Sequence, residues 1–370
     1  MSWIARRAGA VVRPTGERHM HHATMPLLGG LAMYVGVMVP TLALVQMSAA
    51  SKAILVGGTV ITLVGLVDDL VDISPLLKFA GQLAAIGVML YFNVRVARFT
   101  LPLTDETFTF HVAVSVALTV LWMGIIINMV NFIDGLDGLA AGVCAIAAIT
   151  FSVIALSLDR SSMGVEAAVL AGAAFAFLRF NFYPASIFMG DTGSMLLGYC
   201  LGVISVQGVL KGAATVALIF PLLVLGVPFV DFFRIVFRRW REGVPIYRGG
   251  KDHVHHHLVL VVGYSQRKAV LLLYGWCVLL SALAVAMRER SLWAVVIVGS
   301  AALIATVSML RLLRRFRARS EEEARREALG HEASVSGAGG GPSPRSAQAP
   351  ADDGGRGPVR GVDDGGPDRV

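Results

Sequence analysis

The chain has 370 residues, 55% of them apolar and only 15% charged, with a mean hydropathy of +0.69 and a formal net charge of +7. An ordinary soluble domain carries about 25% charged residues, so this composition excludes one. Apolar runs of roughly 17–25 residues recur, each enough to cross a hydrocarbon core of about 30 Å, and they lack the alternation that a transmembrane β-barrel needs. The fold class is therefore an all-α polytopic membrane protein.

In chain order, a basic segment at 1–26 carries Arg6, Arg7, Arg13 and Arg18 and, lacking a clean apolar stretch, is not expected to be a cleavable signal peptide. About ten spans follow, at 27–47, 53–71, 76–92, 112–130, 138–158, 164–180, 187–207, 213–237, 268–287 and 291–312. Between the third and fourth, Val94-Arg95-Val96 and Phe108-Thr109-Phe110 alternate about Pro102, which predicts a short periplasmic β-hairpin within 93–111. A loop at 238–267 holds a histidine cluster. The transmembrane catalytic domain is expected at 27–313, and 314–370 is a basic, then Gly-, Pro- and Asp-rich tail that cannot bury a core and is expected to be disordered. Cys144, Cys200 and Cys277 lie in apolar runs and read as packing residues, without disulfides.

Lysine and arginine set the orientation. Lys78, Arg179, Arg234, Arg238, Arg239, Arg241, Arg248, Lys251, Arg267 and Lys268 share one side with both termini, against Lys52, Arg95, Arg98, Arg160, Lys211, Arg288 and Arg290 on the other. The first side is therefore cytoplasmic. Span parity then puts every polar motif on that face: Asp68-Asp69 with Asp72, Asn128 to Asp137, Gly190-Asp191-Thr192-Gly193-Ser194, and His253 to His257.

Carboxylates beside a bilayer are costly, which points to use. Asp68, Asp69 and Asp72 gather at a helix C-terminus, where they oppose the helix dipole, and suit Mg²⁺ binding or proton acceptance. Asn128, Asn131, Asp134 and Asp137 step by three along one face of a helix continuing out of the membrane, a set suited to a nucleotide and a metal-bound diphosphate. Asp191 opens a span, where the helix N-terminus favours phosphate, so an acidic residue there fits a metal ligand. His255, His256 and His257, beside Arg238, Arg239 and Lys251, read as a diphosphate clamp more readily than as a zinc site. Lys78, one turn from Gln82, can face the same phosphate site.

The order Asp-Asp-x-x-Asp, Asn-x-x-Asn-x-x-Asp-Gly-x-Asp-Gly-Leu, Gly-Asp-Thr-Gly-Ser and His-x-His-His resembles the polyprenyl-phosphate N-acetylhexosamine-1-phosphate transferases of glycosyltransferase family 4, over residues 13–315. The loop Gly250-Lys251-Asp252-His253-Val254-His255-His256-His257-Leu258, followed by Gly263-Tyr264-Ser265-Gln266-Arg267, looks like the branch that uses UDP-N-acetylglucosamine with undecaprenyl or decaprenyl phosphate. That resemblance implies a Mg²⁺-dependent phosphotransferase, with Mn²⁺ as a substitute, that makes polyprenyl-diphosphate-GlcNAc and UMP. Such a reaction opens a cell-envelope glycan such as teichoic acid, arabinogalactan or O-antigen. The alternative within the family is phospho-MurNAc-pentapeptide transferase, which makes lipid I.

By the resemblance, Asp68, Asp69, Asp134, His255 and His256 are catalytic, and Asp191 and Asn131 hold the metal. Lys78, Asn128, Asn131, Asp137, Arg238, Arg239, Lys251 and His257 bind substrate. The expected partners are a UDP-N-acetylhexosamine, a polyprenyl phosphate and the inner membrane of a bacterium, without nucleic acid, and a homodimer is admitted. The chain departs from the family's His-x-x-Pro-x-Pro-Arg-Leu-Gly-Gly segment at Thr24 and Leu27, and the span that usually precedes it is expected to be missing. A transporter with cytoplasmic acidic gates is the alternative of another class. It accounts less well for carboxylates gathered at one surface without repeated motifs between halves.

Overall fold

The computed structural model describes residues 11–12, 25–26, 29–100, 107–209 and 263–288, with scattered positions between 233 and 311. Its helices are α1 (Gly29–Leu44), α2 (Ala49–Val71), α3 (Pro75–Tyr91), α4 (Val112–Ile133), α5 (Leu139–Ser157), α6 (Ser161–Asn181), α7 (Gly190–Ile204) and α8 (Gln266–Arg288). Strands β1 (Val11–Val12) and β2 (Met25–Pro26) pair antiparallel, as do β3 (Arg98–Thr100) and β4 (Thr107–Thr109). Among the described residues, α2, α4, α5, α6 and α8 are long and apolar enough to cross a membrane, which makes this a multi-pass membrane protein. The expected span 213–237 falls largely, and the tail 314–370 wholly, outside the described residues, and the described positions within 291–312 are helical.

Apolar side chains point both into the bundle and out of it. On α2, Ile54 and Ile61 are buried, whereas Leu63 and Leu70 are 55% and 50% exposed. Outward leucines at such exposure suit lipid and would be a liability in water.

Helix α7 is the hub, and Thr192–Ile204 is buried throughout. It packs against α1, α2, α4, α5 and α6. Small residues permit this crowding. A Cβ on Gly65 would sit 2.6 Å from the Thr192 backbone, and one on Gly198 would sit 2.8 Å from Ile127 Cα. Tyr199, wholly buried, donates its hydroxyl to the Ala53 carbonyl at 3.0 Å, tying α7 to α2. The expected span at 187–207 is not one straight helix: α7 gives way to a π-helical turn at Ser205–Val209, where the Trp122 indole donates to Ser205 Oγ at 3.0 Å.

The expected helix continuing beyond Asn128 also stops short. α4 ends at Ile133, Asp134 caps it, and a turn leads to Gly138, which starts α5 at φ +80. Asp137 is drawn inward instead of along the helix face. Its carboxylate accepts the Ala185 N–H at 2.9 Å, and the adjacent Gly138 N–H donates to Asn181 Oδ1 at 3.0 Å.

Candidate active site

The C-terminal ends of α2 and α4 meet the N-terminal ends of α3 and α7. Ser74 caps α3 through its hydroxyl, with Pro75 in the first turn, so the chain reverses directly after α2. Asp72 serves that reversal as an exposed, left-handed C-cap whose N–H donates to the Asp68 carbonyl at 2.9 Å. The reversal brings Lys78 back over Asp68.

Lys78 donates to Asp68 Oδ2 at 2.9 Å and also to Asp191 Oδ2. Asp68 Oδ1 accepts the Ile73 N–H at 3.1 Å. Asn131, from α4, donates its amide to Asp191 Oδ1 and to Ser194 Oγ, the latter at 2.9 Å. Residues from α2, α3, α4 and α7 thus share one polar cluster. The side chains of Asp68, Lys78 and Asp191 are 9%, 19% and 27% exposed, so the cluster is recessed but reachable.

Asp69 faces elsewhere, because consecutive helical residues diverge by about 100°. Its Oδ1 accepts the Asp191 N–H at 2.8 Å, and its Oδ2 accepts the Thr192 N–H at 3.0 Å and the Thr192 hydroxyl at 2.6 Å. The residue preceding α7 is Met189, which offers no capping oxygen. Asp69 therefore caps α7 from a neighbouring helix, and its charge complements the positive end of the helix dipole. Gly190 makes room for that carboxylate: it sits at φ +65, and a Cβ there would run into Asp69.

Asp134 is half-buried, and its carboxylate accepts no hydrogen bond among the described residues. Burial pushes its pKa up to about 8, assisted by the negative charges of Asp191, Asp69 and Asp137. It is the carboxylate of the cluster most available for new ligation or proton exchange.

The remaining expected residues divide. Asn128 donates to Gln82 Oε1 at 2.8 Å and to the Gly124 carbonyl at 2.8 Å, one turn deeper than Asn131, so its amide is already committed. Asp137 is buried against the 182–189 segment. Arg239 is helical and buried. Arg238, Lys251, His255, His256 and His257 lie outside the described residues. Sequence reasoning passed over Asn181 and Tyr274, which hold the Asp137–Gly138 turn. Asn181 also donates to the Ile187 carbonyl at 3.0 Å, and the Tyr274 hydroxyl reaches the Gly138 carbonyl at 2.5 Å. Arg267, about two turns before Tyr274 on α8, donates to the Tyr183 carbonyl at 3.0 Å.

The oxygen donors of Asp191, Asp68, Asp134 and Asn131 suit a hard divalent cation such as Mg²⁺. No group of three His, Cys, Asp or Glu side chains among the described residues is arranged to hold a metal by itself. Mg²⁺ typically uses one or two carboxylates and completes its shell with water and substrate phosphate.

Residues 51–209, which contain the whole described cluster, match the profile of glycosyl transferase family 4. The chain is 36% identical to the "Probable undecaprenyl-phosphate N-acetylglucosaminyl 1-phosphate transferase" of Bacillus subtilis, over 78% of this chain and 80% of that one. It is 37% identical to the "Decaprenyl-phosphate N-acetylglucosaminephosphotransferase" of Mycobacterium leprae, over 74% and 75%. The "Phospho-N-acetylmuramoyl-pentapeptide-transferase" of Moorella thermoacetica matches at 30% identity, over 74% and 88%. With relatives this similar over most of its length, and with Asp68, Lys78, Asn131 and Asp191 gathered at one end of the bundle, the chain belongs to glycosyl transferase family 4.

Proposed function

We propose that the chain transfers N-acetylglucosamine 1-phosphate from UDP-N-acetylglucosamine to a polyprenyl phosphate at the cytoplasmic face of a bacterial inner membrane. The observation that carries this reading is the junction of Asp68, Lys78, Asn131 and Asp191, drawn from four helices to one end of the bundle. A membrane-embedded acceptor and a soluble anionic donor have to meet at such an end. The GlcNAc-using relatives at 36% and 37% identity support the donor, against 30% for the phospho-MurNAc-pentapeptide transferase.

In the reaction, a lipid phosphate oxygen attacks the β-phosphorus of the UDP-sugar. The new P–O bond forms as the bond from the β-phosphorus to the bridging oxygen breaks, and UMP leaves with that oxygen and its electron pair. One phosphoanhydride replaces another, so catalysis is mainly positioning and charge neutralisation. Lys78 supplies positive charge where two anions approach. Asp68 orients Lys78 and borders the acceptor position. Asp134 exchanges a proton near neutral pH and faces the donor with Asn131. Asp191, Asn131 and Asp134 would hold Mg²⁺, which when bound polarises phosphoryl oxygens and lowers the repulsion between the partners. Asp69 keeps the start of α7, and therefore Asp191, in register. Histidines 255, 256 and 257, with Arg238, Arg239 and Lys251, would grip the diphosphate, and Asp137 and Asn128 would support the nucleotide side from behind without touching it.

The test supplies the purified chain with polyprenyl phosphate, Mg²⁺ and, in parallel, UDP-N-acetylglucosamine or UDP-MurNAc-pentapeptide. UMP release with the first donor alone is expected. Release with only the second would transfer the chain to the lipid I reaction, and solute flux into liposomes without UMP would favour a transporter.

A further inference from the structure

Below the Asp68–Lys78–Asp191–Asn131 cluster lies a second polar layer. Gln82 is one turn after Lys78 on α3, Asn128 one turn before Asn131 on α4, and Met195 one turn after Asp191 on α7. Three of the four helices that supply the upper layer, α3, α4 and α7, therefore supply the lower one as well. Gln82 and Asn128 exchange amide hydrogen bonds: Asn128 Nδ2 donates to Gln82 Oε1 at 2.8 Å, and Gln82 Nε2 donates to Asn128 Oδ1 at 3.3 Å. The remaining Gln82 N–H points to Met195 Sδ at 3.6 Å, and the remaining Asn128 N–H is on the Gly124 carbonyl. Gln82 is 1% exposed.

The geometry points to Gln82 and Asn128 as a positioning clasp that fixes α3 to α4, so that Lys78 and Asn131 reach Asp191 together. Contact between α3 and α4 is otherwise sparse compared with that of α3 on α2 or α4 on α7. A reciprocal amide pair in an apolar bundle is costly to break, because each amide oxygen would lose its donor and neither would find another there. It also fixes rotation, since only one facing of the two helices completes both bonds. The pair does not touch the reacting atoms; it acts through Lys78 and Asn131. The kinetic arm of this inference rests on the proposed transferase reaction, and the structural arm does not.

The experiment uses the full chain in detergent with Gln82→Ala, Asn128→Ala, both together, and the exchange Gln82→Asn with Asn128→Gln. Lys78 acetylation by acetic anhydride, read by mass spectrometry against Lys52 as internal reference, reports whether Lys78 is held. Each alanine variant is expected to raise the Lys78 rate about tenfold over Lys52, the double variant to do no more, and the exchange to restore most of the protection. Each single variant is also expected to lower kcat about 10–100-fold, as for other residues that orient a ligand from behind, with KM for the UDP-sugar within about threefold. An unchanged Lys78 rate in both single variants, additive effects in the double variant, or altered Lys78 rates with unchanged kcat would overturn the clasp. A wild-type chain that releases no UMP, with Lys78 rates behaving as described, would refute the transferase reading and leave the clasp standing.

Discussion

Replacing Asp69 by asparagine separates a structural cap from a catalytic carboxylate. Asp69 accepts three hydrogen bonds from the first turn of α7, at 2.8, 3.0 and 2.6 Å. All three partners are donors, so the amide introduced by Asp69→Asn can face only some of them with its oxygen. In the better orientation the oxygen keeps both Thr192 bonds, and the NH₂ group is turned against the Asp191 N–H. One backbone donor then loses its partner, at about 1–3 kcal/mol. Removing the negative charge from a helix N-terminus costs a further 0.3–1 kcal/mol or so. The sum is about 1–4 kcal/mol, expected as a lower thermal unfolding midpoint in detergent. Activity should fall with it, because the capped turn carries Asp191. Thr192→Val should reproduce part of the loss and be non-additive with Asp69→Asn. If Asp69 instead acted directly as base or ligand, deleting its charge among Asp134, Asp191 and Asp68 would leave stability equal or improved. An Asp69→Asn protein that is inactive yet unfolds at or above the wild-type midpoint would refute the cap.

Gly190→Ala should be destabilised and slow, since a Cβ there meets the Asp69 carboxylate at a backbone angle of φ +65; the paired measurement is midpoint and kcat. Asp134 has its pKa raised to about 8 from an ordinary 3.8, so the folded state binds a proton that the unfolded state releases. Stability from this group therefore declines as pH rises from about 4 to 8 and levels off above. Asp134→Asn should accordingly raise the midpoint more at about pH 8.5 than at about pH 5, and a uniform effect across pH would contradict the assignment. In the wild type, the Mg²⁺ concentration for half-maximal activity should fall as pH approaches about 8, because ligation needs the ionised carboxylate. Tyr274→Phe removes the bond to the Gly138 carbonyl and should cost about 1 kcal/mol with a modest loss of activity, checked by the same unfolding assay.

Much of the bundle was legible because apolar length is a one-dimensional signal. The runs at 76–92 and 138–158 became Pro75–Tyr91 and Leu139–Ser157. Asp68, Lys78, Asn131 and Asp191 were legible as polar positions at apolar ends, where they oppose the membrane's cost. The divergence of Asp68 from Asp69 was not, because adjacent letters in a sequence do not state which way each side chain turns. A clue was present in Met189: a helix whose preceding residue cannot cap it must find its cap elsewhere. The three-residue step from Asn128 to Asp137 suggested one continuous face. Gly135, Gly138 and the pull of Ala185 on Asp137 broke it instead, and that pull comes from a residue 48 positions away. Asn181 and Tyr274 carried no motif, and only their distant carbonyl and N–H partners reveal their purpose.

The proposal that Asp191 centres one metal- and phosphate-binding cluster is tested most directly by Mg²⁺-dependent UMP release from the wild type and Asp191→Asn. With UDP-N-acetylglucosamine and polyprenyl phosphate, the wild type should turn over in proportion to bound Mg²⁺, and the folded variant should lose turnover by orders of magnitude at any Mg²⁺ concentration. Equal rates and equal Mg²⁺ dependence in the two proteins would contradict it.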